Sequence, residues 1–83
     1  MVKAMKDYSR LQMEILTAYL FDKGLFSEMC RQMRVKGGGF IKKLEELIGY
    51  ADDTNVAKIV MTWADDLEFY FNLAKGEDVG HQD

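Results

Sequence analysis

The 83-residue chain has no proline, one cysteine and one histidine. Each scarcity excludes something. Without proline, no residue forces a break in a helix, so long helices are unopposed. One cysteine cannot form an intrachain disulfide. One histidine leaves a His-based zinc site without its ligands and allows at most one His-dependent catalytic pair. No run of 18 or more apolar residues occurs, so no membrane-spanning helix is expected. Glycine is clustered, with three of its seven copies at Gly37-Gly38-Gly39.

Hydrophobic residues make up 48% of the chain and charged residues 30%, the balance of a globular domain and not of a disordered segment. At 9.6 kDa one small domain is expected, over residues 1–76, followed by a polar, acidic, mobile tail over 77–83. His81 falls in that tail and reads as inert. Residues 1–7 show no signal-peptide core, and a lone Cys30 suits a reducing compartment, so a cytoplasmic location is expected.

The net charge of −3 conceals an asymmetry. Residues 1–50 carry nine basic and six acidic side chains, net +3; residues 51–83 carry two and eight, net −6. Simple solvation accounts for this. So do two surfaces of opposite sign, one of them facing a charged partner.

Apolar spacing predicts an all-α fold, a compact bundle of four helices with the first and last long and the middle two short. The first is expected from Val2 to Asp22, with Gly24 as its stop. Its apolar arc is about twice the ~100° of an ordinary surface helix, which predicts a central position or a shared one, and hence a homodimer. The second is expected from Phe26 to Lys36, with Leu25, Phe26, Met29, Cys30 and Met33 inward. The third spans Phe40 to Gly49 or Tyr50, with Phe40, Ile41, Leu44, Leu47 and Ile48 inward. The fourth runs from Asp53 to about Lys75, N-capped by Asp52, with Val56, Ile59, Val60, Trp63, Leu67, Tyr70 and Ala74 on its buried stripe. The expected core is Leu11, Ile15, Leu44, Leu47, Ile59, Trp63 and Leu67.

Few constellations carry chemistry. The triple glycine lacks the spacing and the Ser or Thr of a phosphate loop, and no strand precedes it as a dinucleotide fingerprint requires. Asp52, Asp53 and Asn55 lack the rest of a calcium loop, so no metal site is expected. Asp65 and Asp66 point ~100° apart on a regular helix, which argues against an acid–base dyad. No histidine stands in a structured segment to activate a serine or threonine, so no catalytic residue, no cofactor and no enzyme are expected. Cys30 reads as a small buried side chain.

Two candidate surfaces remain. On the back of the fourth helix, Met61 and Phe69 sit among Asp65, Glu68 and Asn72. Apolar side chains set among carboxylates suit a protein-binding surface, although single exposed apolar residues are common. Arg31, Arg34, Lys36, Lys42 and Lys43 place five cations in 13 residues without an acid among them. They suit an anion or nucleic-acid contact, or a solvated turn.

In its small size, acidic balance and aromatic-rich helices, with Gly37-Gly38-Gly39-Phe40 and Ala51-Asp52-Asp53-Thr54-Asn55 as punctuation, the chain resembles the short helical proteins encoded by phages and prophages. Small inhibitors of bacterial defence are among these. The resemblance implies an accessory protein that binds a host protein in a bacterial cytoplasm, and it assigns no functional residue. The leading expectation is therefore non-enzymatic protein binding through Met61, Asp65, Glu68, Phe69 and Asn72. The alternative is nucleic-acid binding through the segment 31–43.

Overall fold

The computed structural model describes residues 7–76. These form four helices: α1 (Ser9–Phe21), α2 (Lys23–Lys36), α3 (Gly39–Tyr50) and α4 (Asp53–Ala74). The expected all-α bundle of four helices is what the structure shows, but among the described residues only α4 is long, at 22 residues; α1 has 13, no more than the 14 of α2 and close to the 12 of α3. The tail 77–83, with His81, and the expected helical start at residues 2–6 lie outside the described residues.

Side chains explain the helix boundaries. α1 begins at Ser9, after the non-helical Asp7 and Tyr8 that the expected helix from Val2 runs through. Asp7 accepts hydrogen bonds from the Ser9 backbone N–H at 2.9 Å and from its hydroxyl at 2.8 Å, fixing the entry to the helix. Those bonds hold the Asp7 carboxyl below its ordinary pKa. The break between α1 and α2 falls at Asp22, and the expected stop Gly24 lies inside the first turn of α2. Asp22 donates its N–H to the Ala18 carbonyl and accepts from the Leu25 N–H, closing one helix and capping the next. An aspartate that can serve both ends outweighs glycine as the point of division. The expected N-cap of α4 is present: the Asp52 carboxylate accepts from the Asn55 N–H at 2.9 Å. Gly76 closes the other end in the left-handed region, φ +83°.

α2 and α4 form the central pair. α1 packs against both, α3 also packs against both, and α1 and α3 do not meet among the described residues. The core is continuous across the four helices, from Ile15 and Ala18 through Phe26, Met29 and Met33 to Leu44, Ile48, Val60, Leu67 and Phe71. Of the expected core, Ile15, Leu44, Ile59 and Leu67 are buried, while Leu11 and Trp63 are half-buried against it. Leu47 is 52% exposed, and Phe40 also stays outside, so both leave the inward set assigned to α3. α3 buries only a narrow stripe, Leu44 and Ile48, because it lies against the central pair with nothing on its far side.

The fourth helix departs most from its pattern. Trp63 has non-helical angles (φ −115°, ψ 22°), and α4 kinks there. Side chains serve the backbone on both sides of the kink. Gln12 of α1 donates its Nε2 to the Met61 carbonyl at 3.0 Å, and the Asp65 carboxylate accepts the Asp66 N–H at 2.9 Å. A polar side chain entering the carbonyl ladder is a recognised cause of such bends. Trp63 and Tyr70 therefore sit at the edge of the stripe, and Ala64 and Phe71, absent from the expected set, occupy its centre. Trp63 instead meets Phe40 edge-on, with ring centroids 5.2 Å apart.

Candidate functional site

The five residues expected to form a binding face share the outer side of α4. Met61 is 52% exposed, Phe69 is 43% exposed and Asp65 is exposed; Glu68 and Asn72 are half-buried. On a helix of ~100° per residue, all five fall within about a quarter to a third of the circumference, opposite Val60, Leu67 and Phe71. The face is continuous toward the helix start. A shallow depression of about 620 Å³ is lined by Asp53, Thr54, Ala57, Lys58, Met61 and Thr62. Lys58 and Thr54 were missed in the sequence, although their offsets of three and seven residues from Met61 place them on its side.

One carboxyl beside this face is perturbed. Burial raises the Asp66 pKa above its ordinary value, and the negative charge of the adjacent Asp65 raises it further. Phe69 packs edge-on against Tyr70 at 5.1 Å, which holds its ring in place at the surface. A held aromatic ring costs less conformational entropy to bind than a loose one.

The basic segment is largely compensated from within. Arg31 makes a two-pronged contact with Glu28 at 2.9 and 2.7 Å. That contact, with a hydrogen bond from Gln32, pulls the Glu28 carboxyl down to about 2. Arg34 reaches Glu45 at 2.8 Å across the α2–α3 junction, and Lys43 pairs with Glu46 at 3.6 Å. Lys36 and Lys42 alone of the five have no ion pair among the described residues. The acids that pair with Arg31, Arg34 and Lys43 stand outside the 13-residue window, three places before it or on α3 after it. Helical spacing and the fold of α3 against α2 bring them in.

Cys30 is half-buried, and burial together with the nearby Glu45 pushes its thiol up to about 11. A thiol neutral at pH 7 is a poor nucleophile. Among the described residues no group of three or more His, Cys, Asp or Glu could hold a metal ion. No described helix is long and apolar enough to cross a membrane. Comparison with known proteins finds no matching family model, no matching curated protein and no matching solved structure.

Proposed function

We propose that this protein is a non-enzymatic adaptor or inhibitor that docks on another protein through the outer face of α4. One observation carries the reading: Met61 and Phe69 stand exposed among Asp65 and Glu68 on a single helix face. An apolar centre with a charged surround is the anatomy of a protein interface. The acidic surround selects a basic surface on the target, and occlusion of that surface is the mechanism. In the phage setting implied by the resemblance, the target is a bacterial host protein, such as a defence or nucleic-acid-processing complex, met in the host cytoplasm. The chain is also proposed to pair with itself, since α1 leaves Met13, Leu20 and Phe21 uncovered.

The alternative, nucleic-acid binding through Arg31, Arg34, Lys36, Lys42 and Lys43, has less support. Three of these cations are already engaged with glutamates, and two remain to neutralise phosphate. With two phosphate contacts the affinity would be weak even at low salt.

The test compares affinity capture from bacterial lysate by the wild-type chain, by Asp65→Lys with Glu68→Lys, and by Lys36→Glu with Lys42→Glu. The expected result is a protein enriched by the wild type, lost on the acidic-face variant and retained on the basic-segment variant. Capture unchanged by Asp65→Lys with Glu68→Lys contradicts the reading. Binding of duplex DNA or single-stranded RNA at low salt, lost with Lys36→Glu and Lys42→Glu, would favour the alternative.

A further inference from the structure

α1 leaves three large apolar side chains uncovered, and of the large apolar side chains described only Tyr50 on α3 is more exposed than its Phe21. Phe21 is 82% exposed, Met13 64% and Leu20 56%, and all three sit on a helix of 13 residues. Met13, Thr17 and Phe21 form one i, i+4 row, large, small and large in turn. Beside that row runs a groove of about 380 Å³, lined among others by Arg10, Met13, Thr17, Asp22 and Leu25. A protruding ring thus stands at one end of a groove whose middle is kept low by a threonine.

We infer that the occupant of this groove is α1 of a second copy of the chain, laid antiparallel about a two-fold axis next to Thr17. The proposal rests on the self-pairing reading above and adds where and how the copies meet. The spacing of the residues selects this arrangement. In an antiparallel pair about a two-fold, partners lie at equal distances on either side of the axis. Met13 facing Phe21 puts the axis at position 17, and Met13 facing Leu20 puts it between 16 and 17. Arg10, whose Nε already meets Glu14 at 3.3 Å, and Asp22, whose Oδ1 caps α2, both line the groove, and pairing the terminal nitrogens of Arg10 with the second oxygen of Asp22 across the copies puts the axis at 16. One axis position serves the apolar row and the charges together, within one residue. The parallel arrangement would place Arg10 beside Arg10 and Asp22 beside Asp22. Thr17 at the axis lets the helices approach at the 8–10 Å typical of packed helices, and the Phe21 ring of each copy enters the groove of the other next to Met13.

The test is the mass of the full chain in solution, by sedimentation equilibrium from micromolar to submillimolar concentration, with one cross-linking arm. The expected result is a reversible dimer of twice 9.6 kDa. Phe21→Glu should weaken it by at least about 30-fold, because each dimer loses the buried ring twice. Thr17→Cys, made with Cys30→Ser, should form a symmetric disulfide under mild oxidation at concentrations where Ser27→Cys in the same background does not. A wild-type chain that stays monomeric at submillimolar concentration overturns the self-pairing reading and the inference with it. A dimer that survives Phe21→Glu, or that falls instead with Phe69→Glu, keeps self-pairing and overturns the α1 interface. A monomer, or a dimer that survives both substitutions, leaves the partner proposed for α4 untouched, whereas loss of the dimer with Phe69→Glu would give the α4 face to self-pairing instead.

Discussion

Phe71→Ala is expected to cost about 3–5 kcal/mol, as truncation of a buried phenylalanine does elsewhere. A domain of this length has a total stability on the order of 4–12 kcal/mol. The variant should therefore lose between about a quarter and all of the domain's stability. Phe71 is 1% exposed and lies in the same core cluster as Met29, Met33 and Leu67, so no single-helix movement fills the space it leaves. Urea titration followed by Trp63 fluorescence checks this, since α4 carries the only tryptophan. Tyr70→Ala is the control. Tyr70 sits at the edge of the core and should cost less than half as much. If the two costs were reversed, the buried stripe of α4 would run as in an unkinked helix, and the bend at Trp63 would be wrong.

Gly37→Ala is expected to cost about 1–3 kcal/mol, the range for overpacking a filled site. The reason is steric and not conformational. Gly37 has φ −76° and ψ 155°, angles open to any residue. A Cβ placed there, however, would lie 2.5 Å from the Met33 carbonyl oxygen and 2.7 Å from the Ile41 Cβ, with the Ile41 Cγ2 nearer still. The Met33 oxygen cannot retreat cheaply, because it accepts the Gly37 N–H at 2.9 Å and closes α2. Relief requires α3 to move off α2. At ~4–8 °C of melting temperature per kcal/mol for a domain this small, the loss should be visible as a drop of about 5–20 °C in a thermal melt. Gly39→Ala meets open space at the first residue of α3 and should be neutral or stabilising by up to about 1 kcal/mol. Equal effects at the two positions would mean that the run acts only as flexible punctuation.

These residues also mark where the sequence was legible. Helix number, the Asp52 cap and the buried centre of α2 (Phe26, Met29 and Met33, with Leu25 and Cys30 half-buried beside it) followed from local rules, since each depends on residues within a turn or two of one another. The centre of the α4 stripe did not. Its shift from Trp63 and Tyr70 to Ala64 and Phe71 accompanies a kink at which Gln12 of another helix reaches the Met61 carbonyl. No window of periodicity along α4 contains Gln12. Gly37 was visible as a turn residue, but its role as the close contact between α2 and α3 appears only once Ile41 folds back over Met33. The neutralised basic segment is of the same kind, because Glu45 becomes the partner of Arg34 only when α3 turns against α2. The α4 face, by contrast, was readable from spacing alone, since it belongs to one helix. Its extension through Lys58 and Thr54 was readable by the same rule.

The functional proposal stands on that face. Replacing Phe69 with a photoreactive phenylalanine analogue keeps an aromatic ring at the centre of the surface and reports directly on what touches it. The same analogue at Val35, exposed on α2, is the control. After irradiation in bacterial cells, a discrete protein adduct is expected from position 69 that is absent from position 35 and lost when Asp65→Lys and Glu68→Lys are added. An adduct common to both positions, or none at 69, would contradict the proposal that the outer face of α4 is where this protein meets its target.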